Sequence, residues 1–297
     1  MKHLITTADL TNEEIESLYE DAKIFQDLQS CNILKGKLVV TLFFENSTRT
    51  RSSFEIAAKR LGADVVNLEI GTSSTKKGET VADTIANLNA MKPDAIIIRH
   101  SECGLPGSLI NYVNCPIINA GDGKNAHPTQ ALLDLFTIKQ YFNDKVKKKK
   151  IAIVGDIANS RVASSNLELL PRFGLEPILV APKKFRLKSK FDKVKDIRKI
   201  IDHIDIIMSL RVQHERHENF ISEIELEQSK QKYAKKYCIT KEIIGDRDIL
   251  LLHPGPVNRN IDISDEMLED PRCQILKQVQ NGVAVRMACL KKLILQH

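Results

Sequence analysis

The sequence predicts an α/β protein of two domains, each a mainly parallel sheet flanked by helices, with the C-terminal helix packing back on the first domain. Three observations predict this class. Short apolar runs typical of buried strands alternate with amphipathic helical patterns along the chain. The length of 297 residues is large for a single hydrophobic core. The same strand–helix rhythm occurs in both halves without an internal sequence repeat.

The first half opens with a helix whose start is marked by Thr11 and Glu14, the spacing of a capping box. An apolar run at Leu38–Phe43 predicts the first strand, and an amphipathic helix follows from Ser47 to the stop at Gly62. The remaining elements of this half are strands at Ala63–Leu68, Asp94–Ile98 and Pro116–Ile118, helices from Val81 and around Leu105–Val113, a polar loop before Val81, and a helix that begins near His127.

The second half repeats the alternation after a solvated charged run, Lys145–Lys150, which lies near the domain boundary. Its elements are strands at Ile151–Val154, Glu176–Ala181, Asp205–Met208 and Ile249–Leu252, a helix ending near Phe173, a basic helix at Lys190–Asp202, a partly helical polar stretch at Gln213–Lys236, and a final helix from Cys273 to Leu295.

The composition favours an anionic small-molecule substrate over nucleic acid or membrane. The net charge of +6 is mild, and no basic stripe is interleaved with aromatic residues. No apolar run approaches the ~20 residues of a membrane span, and the first residues lack the apolar core of a signal peptide. None of the six cysteines forms a CxxC pair, so we expect free thiols, no zinc site and a cytoplasmic location.

The start of the second helix concentrates hydrogen-bond donors. Ser47, Thr48, Arg49, Thr50 and Arg51 stand where a helix exposes its first N–H groups and the positive end of its dipole. These groups suit a multiply charged oxyanion, above all a phosphate. The alternative is an ordinary Ser/Thr cap with surface arginines.

Other cationic or donor groups also follow predicted strands. Because ligands of parallel sheets bind at the carboxyl ends of strands, we expect these residues to form one shared site between the domains. No carboxylate pair, Ser–His–Asp order or metal-ligand cluster competes with them, so we expect no metal or cofactor, and catalysis by positioning and charge stabilisation. The residues are Ser47–Thr50, Arg99, His127, Arg161, Arg211 and His253–Pro256, with Lys77 as a further cation.

Six motifs resemble the aspartate and ornithine carbamoyltransferases, in the order and spacing of that family and over most of the chain. The segments FENSTRTRSSFE and HPTQALLDLFTI are similar to signatures shared by the whole family. The segments STKKGETVADTI, RH at Arg99, RVQHER at Arg211 and HPGPVNR at His253 are similar to its aspartate branch. The resemblance implies a carbamoyl-phosphate-binding domain at 1–130 plus 280–297 and an aspartate-binding domain at 131–279.

The resemblance also implies a reaction: transfer of the carbamoyl group of carbamoyl phosphate to the α-amine of L-aspartate, in de novo pyrimidine biosynthesis. It implies that the phosphate binds at the first turn of the second helix. It also implies that three donors bind the carbamoyl oxygen, and that a glutamine and two backbone carbonyls bind the carbamoyl amide. The implied phosphate ligands are Ser47, Thr48, Arg49 and Thr50; the carbamoyl ligands are Thr50, Arg99, His127, Gln130, Gly255 and Pro256; and the catalytic residues are Arg49, Thr50, Arg99 and His127.

The second substrate separates the branches. Aspartate has two carboxylates, which suit the guanidinium groups of Arg161 and Arg211, with Lys77 and Gln213 added by resemblance. The ornithine branch resembles HCLP where this chain has HPGP, and a Trp-containing SMG segment where this chain has MSLRVQ and no Trp. The alternatives are a carbamoyltransferase for ornithine or another amino acid and, from a different class, a non-catalytic anion- or nucleic-acid-binding protein.

The loop before Val81 implies an oligomer by the same resemblance. In the family this loop reaches into the neighbouring subunit's site, so Ser73 and Lys77 would act in a homotrimer, with Lys76 as the alternative loop ligand. The motifs neither require nor exclude a regulatory chain. His253 is interpreted as a structural histidine beside a tight turn.

Overall fold

The computed structural model describes residues 2–69, 80–212 and 223–296. The chain forms two compact units, of which the first comprises Met1–Phe136 and Val279–His297 and the second comprises Thr137–Gln278. The first unit is therefore assembled from both ends of the chain, as the prediction for the C-terminal helix requires.

The first unit contains a four-stranded sheet in the order β2-β1-β3-β4. Every strand pair in it is parallel, which confirms the predicted class. Its strands are β1 (Leu38–Phe43), β2 (Asp64–Glu69), β3 (Ala95–His100) and β4 (Ile117–Asp122), and its helices are α1 (Asn12–Gln26), α2 (Thr48–Arg60), α3 (Val81–Ala90), α4 (Leu105–Ser108), most of α5 (Pro128–Tyr141) and most of α10 (Ile275–Leu295).

The C-terminal helix α10 is tied to the first unit by polar contacts with α1. Lys291 Nζ lies 2.7 Å from Asp21 Oδ1, and Gln26 Nε2 donates to Asn281 Oδ1 at 2.6 Å. One side of α10 is apolar and fully buried, with Leu290 and Leu293 among its residues. Burial of this kind stabilises a helix more than its intrinsic propensity does. The predicted return of the C-terminal helix to the first domain is confirmed.

The second unit contains a five-stranded sheet in the order β7-β6-β5-β8-β9, again with every pair parallel. Three of its strands, Lys150–Val154, Ile206–Ser209 and Leu250–Leu252, are largely buried, which is why they are apolar runs in the sequence. The strands are β5 (Lys150–Val154), β6 (Glu176–Val180), β7 (Asp192–Val194), β8 (Ile206–Ser209) and β9 (Leu250–Leu252), and the helices are α6 (Arg161–Leu169), α7 (Glu223–Tyr237), α8 (Lys241–Ile244) and α9 (Asp265–Leu268).

The basic helix predicted at Lys190–Asp202 is wrong. This segment contains the edge strand β7, followed by two 3-10 turns at Ile197–Lys199 and Ile201–His203. The buried Ile197 and Ile201 are four residues apart, a spacing that imitates a helical face. The open edge of β6 decides the outcome, because it provides backbone partners for β7.

The helices of the described ranges include none that is long and apolar enough to cross a membrane.

We expect one ion pair of the second unit to contribute pH-dependent stability. Arg272 contacts Asp270 at 2.8 Å and holds the pKa of that carboxyl at about 2, while also donating to the carbonyls of Gly245 and Arg247. A carboxyl whose pKa is lowered by folding stabilises the fold above its unfolded pKa and loses that contribution as the pH falls towards 2. Asp270→Asn should therefore lower the free energy of unfolding by about 1–2 kcal/mol at pH 7.

Denaturant unfolding monitored by circular dichroism from pH 2 to pH 7 tests this expectation. The variant and the wild-type protein should converge in stability near pH 2. The matched control is Glu227→Gln, which removes a half-exposed carboxylate 3.5 Å from Lys230 and should leave stability unchanged. A difference for Asp270→Asn that stays constant over the whole pH range would contradict the assignment.

Candidate anion-binding site

The N-terminus of α2 differs from those of α1 and α3. Both α1 and α3 begin with a threonine that caps the helix and an acidic residue that caps in return, Glu14 and Asp83. Helix α2 has Ser47 at the capping position, without a side-chain capping bond and without any acidic residue in its first turn. Its first backbone N–H groups therefore keep the capacity to bind an anion.

Strand order places Arg99 next to the end of β1, the strand that precedes α2. Strands β1 and β3 are neighbours, and Phe43, at the end of β1, is in register with Arg99. The Arg99 guanidinium lies 3.3 Å from a carboxylate oxygen of Glu45 and donates to the carbonyl of Ala120 at 3.3 Å. These contacts fix the guanidinium at the carboxyl end of the sheet.

His127 follows β4, the next strand of the same sheet. It is 4% exposed, and its carbonyl accepts hydrogen bonds from the N–H groups of Gln130 and Ala131 at the start of α5. Ser47–Thr50 and His127 thus follow β1 and β4, and Arg99 is the last but one residue of β3, which lies between these two strands. The carboxyl ends of such strands lie at one edge of a sheet.

The loop between β4 and His127 is built around the buried carboxylate of Asp122. Asp122 is fully buried, and its oxygens accept from Gly104 N at 2.6 Å, Asn119 Nδ2 at 2.8 Å, Asn125 Nδ2 at 2.8 Å and Ala126 N at 2.9 Å. Four donors satisfy a buried charge that would otherwise be costly. The network holds the backbone immediately before His127.

Gln130 is oriented by the next turn of its own helix. Its Nε2 donates to Asp134 Oδ1 at 2.8 Å, and both side chains are buried. This i,i+4 pair leaves the Gln130 amide with its nitrogen directed towards Asp134. The remaining capacity of the amide to donate and accept hydrogen bonds suits a small polar group such as a carbamoyl.

In the second unit the two predicted arginines also follow adjacent strands. Arg161 is the first residue of α6, after β5, and is 7% exposed, whereas Arg211 comes two residues after β8. Strands β5 and β8 are in register at Val154 and Ser209. Gly155, which follows β5, packs tightly against the backbone of Leu210, the residue before Arg211. A Cβ atom at Gly155 would lie 2.6 Å from the carbonyl oxygen of Leu210, and the φ of Gly155 is +125°.

The segment after β9 is organised by His253. Its Nδ1 accepts from Gly255 N at 2.8 Å, and its Nε2 lies 3.3 Å from Asp262 Oδ2. Because Nδ1 is an acceptor, Nε2 carries the proton that faces Asp262. The same Asp262 oxygen accepts from Asn258 N at 2.8 Å. This network supports the structural interpretation of His253 and holds the cis Gly255–Pro256 peptide after β9.

Three predicted ligands, Ser73, Lys77 and Gln213, lie outside the described residues, as does the alternative Lys76. Within the described ranges no group of three or more His, Cys, Asp or Glu residues could hold a metal ion.

The sequence analysis did not identify Asp122 and Asp134 as supports of the site, and it did not foresee the contact of Glu45 with Arg99. The i,i+4 spacing of Gln130 and Asp134 was a usable signal, since such pairs meet on a helix surface. The contact of Glu45 with Arg99 joins a residue after β1 to a residue near the end of β3, and no local pattern predicts it.

Both halves of the chain match profiles of one known protein family. The profile described as "Aspartate/ornithine carbamoyltransferase, carbamoyl-P binding domain" matches residues 2–140, and the one described as "Aspartate/ornithine carbamoyltransferase, Asp/Orn binding domain" matches residues 147–293. The chain is 65% identical to the aspartate carbamoyltransferase catalytic subunit of Aliarcobacter butzleri, over 100% of this chain and 99% of the relative. It is 60% identical to that of a Nitratiruptor species, over 99% of each.

Solved structures of aspartate transcarbamoylases are similar to this chain over nearly its full length. The catalytic subunit of M. jannaschii aspartate transcarbamoylase is similar with a TM-score of 0.89 and 36% identity, over 100% of this chain and 99% of that one. Aspartate transcarbamoylase from Trypanosoma cruzi, in complex with carbamoyl phosphate and aspartate, is similar with a TM-score of 0.88 and 31% identity, over 98% and 96% of the two chains.

We expect Asp122→Asn to destabilise the first unit. The substitution replaces one acceptor oxygen by an NH₂ donor. Each oxygen accepts from one backbone N–H and one side-chain amide, so at least one backbone N–H loses its partner. The free energy of unfolding should fall by about 2–3 kcal/mol. Asp64→Asn, at an exposed carboxylate that begins β2, is the matched control and should change nothing measurable. Equal stability of both variants in urea unfolding would show that Asp122 does not stabilise the loop between β4 and His127.

Proposed function

The chain belongs to the aspartate/ornithine carbamoyltransferase family, and we propose that it transfers the carbamoyl group of carbamoyl phosphate to the α-amine of L-aspartate. The products are N-carbamoyl-L-aspartate and phosphate, a step of de novo pyrimidine biosynthesis. The observation that carries the proposal is the N-terminus of α2, which offers hydroxyl, guanidinium and backbone donors without an acidic residue. Relatives named aspartate carbamoyltransferase catalytic subunit, 55–65% identical over nearly the full length, support it.

We assign carbamoyl phosphate to the first domain, predicted as residues 1–130 plus 280–297. Its phosphate group binds at the first turn of α2, where backbone N–H groups and the helix dipole favour an anion. Arg49 adds a guanidinium that also stabilises the phosphate as it leaves. The assigned phosphate ligands are Ser47, Thr48, Arg49 and Thr50.

The carbamoyl oxygen gains negative charge as the amine attacks. Arg99, His127 and Thr50 donate to it, and losing one such donor typically costs ~3 kcal/mol of barrier. The carbamoyl amide is held by Gln130 and by backbone carbonyls of Gly255 and Pro256. In the reaction a C–N bond forms, the C–O bond to phosphate breaks, and the proton that the amine gives up passes to the departing phosphate. The amine must be neutral to attack, so the rate should rise with pH above neutrality.

We assign the acceptor to the second domain, predicted as residues 131–279. L-Aspartate brings two carboxylates, and Arg161 and Arg211, each after one of two adjacent strands, offer planar guanidinium groups for bidentate contact. Lys77 and Gln213 complete the proposed set. A site for ornithine would instead need an acidic or thiol-lined pocket for the side-chain ammonium.

We further propose a homotrimer in which Ser73 and Lys77 act in the neighbouring subunit's site. We place the enzyme in the cytoplasm, the compartment in which six free thiols stay reduced.

Product formation from carbamoyl phosphate across a panel of amino acids tests the proposed reaction. Aspartate should be carbamoylated fastest, without added metal or cofactor. Faster carbamoylation of ornithine or another amine would replace the acceptor assignment. If the protein instead bound an oligonucleotide with steep salt dependence and turned over no carbamoyl phosphate, the enzymatic proposal would fail.

Arg49→Ala should lower kcat about 10³-fold, because it removes the charge that stabilises the departing phosphate. The measurement is steady-state kinetics with carbamoyl phosphate and aspartate both varied. Arg60→Ala, at the last residue of α2, is the matched control and should keep wild-type kcat. Near-normal turnover by Arg49→Ala would remove this residue from the mechanism.

Mixing two inactive variants tests the shared site. Arg49→Ala and Lys77→Ala trimers, dissociated and reassembled together, should regain part of the activity, since some sites in the mixed trimers then contain both native residues. Each variant reassembled alone is the control. An absence of regained activity in verified mixed trimers would contradict the proposed sharing.

A further inference from the structure

Arg286, on α10, is a buried arginine that the proposed reaction does not use. It is 4% exposed and forms no ion pair with any carboxylate in the described part of the chain. Burial lowers the pKa of its guanidinium to about 10, so the group is still charged at neutral pH. A buried charge without an ion-pair partner lowers stability, and an apolar side chain of similar size would be favoured on stability alone.

The guanidinium contacts the helix that we assign to phosphate. Arg286 Nη1 donates to Ser53 Oγ at 2.8 Å, and the guanidinium carbon lies 5.0 Å from the centre of the Phe54 ring. Ser53 is three and four residues after Thr50 and Arg49, so the three residues share one face of α2. The Arg286 contact is thus about one helical turn, ~5 Å along the axis, behind the donors at the helix start.

The chain makes room for this cation. A side chain at Gly282 would place its Cβ 2.8 Å from Arg286 Nη1 and 3.1 Å from Leu133 Cδ2. Asp134 lies near enough to raise the pKa of Arg286, and the same Asp134 accepts the hydrogen bond from Gln130. The cation therefore lies where α2, α5 and α10 meet, behind both the proposed phosphate ligands and the proposed carbamoyl ligand.

We propose that Arg286 is a positioning residue for the anion site: it holds α2 through Ser53 and supplies, from the protein interior, positive charge that is balanced by the phosphate group at the helix start. Charges act over longer distances away from water, so a buried cation contributes to the potential at a site it does not touch. This inference rests on the proposed function, in that it takes the anion at α2 to be the phosphate of carbamoyl phosphate.

The test compares Arg286→Met with Arg286→Lys, which keeps the charge, and Ser53→Ala, which keeps the charge but removes the hydrogen bond. Lys291→Met is the matched control, because it removes a cation from the same helix whose contacts are Asp21 and the Phe25 ring on α1. Four quantities are measured: KM for carbamoyl phosphate, KM for aspartate, the calorimetric Kd for inorganic phosphate, and the thermal unfolding midpoint.

Arg286→Met should raise the KM for carbamoyl phosphate and the Kd for phosphate together by about tenfold, the size expected for losing a buried charge near a helix-terminal anion. Its KM for aspartate should change little, and its unfolding midpoint should not fall. Arg286→Lys should lie between Arg286→Met and the wild type, Ser53→Ala should show a smaller increase, and Lys291→Met should match the wild type in both anion measurements.

Wild-type phosphate affinity in a folded Arg286→Met would overturn the inference. So would an effect on every kinetic constant that merely follows a lowered unfolding midpoint. If Arg286→Met does not fold, Arg286→Gln replaces it; if neither folds while Arg286→Lys does, the residue is structural and the inference is wrong. A wild-type protein that binds phosphate but turns over no carbamoyl phosphate would refute the proposed reaction, while the phosphate titrations would still decide the role of Arg286.

Discussion

The proposed function depends on the first turn of α2, a helix start at which Ser47 makes no side-chain capping bond. In α1 and α3 the capping threonine accepts from the N–H of the acidic residue three places on, and that acidic side chain accepts in return from the N–H of the threonine. Helix α2 has hydroxyls and arginines there, and no carboxylate in the first turn. An anion is the group that completes such a helix start, since it accepts from several N–H groups and faces the positive end of the dipole.

Parallel strand pairing places further candidate ligands at the same edge of each sheet as the residues that follow its other strands. Because every strand pair in both sheets is parallel, each strand delivers the residues that follow it to the same edge. In the first unit that edge carries the α2 start, Arg99 and His127, and in the second it carries Arg161, Arg211 and the Gly255–Pro256 peptide. Buried carboxylates hold the backbone next to these groups. Asp122 accepts from the N–H of Ala126, just before His127, and Asp262 accepts from the N–H of Asn258, just after the Gly255–Pro256 peptide.

Prediction from sequence succeeded where local pattern decides structure. Strand β1 was predicted at its observed bounds, because a buried parallel strand is a continuous apolar run between turns. The helix at Lys190–Asp202 failed because the edge of β6, not the segment itself, selects β7. The candidate site residues next to strand ends could be proposed from position and chemistry. The role proposed for Arg286 could not be predicted in this way, because it depends on a contact with Ser53, which is 233 residues away in the sequence.

The most direct test of the central claim is the crystal structure of the protein with inorganic phosphate, compared with crystals grown without it. We expect one tetrahedral anion at the start of α2, about 2.7–3.2 Å from backbone N–H groups of its first turn and within reach of Arg49. Saturating phosphate that leaves this helix start without an anion, or that occupies a different place on the chain, would contradict it.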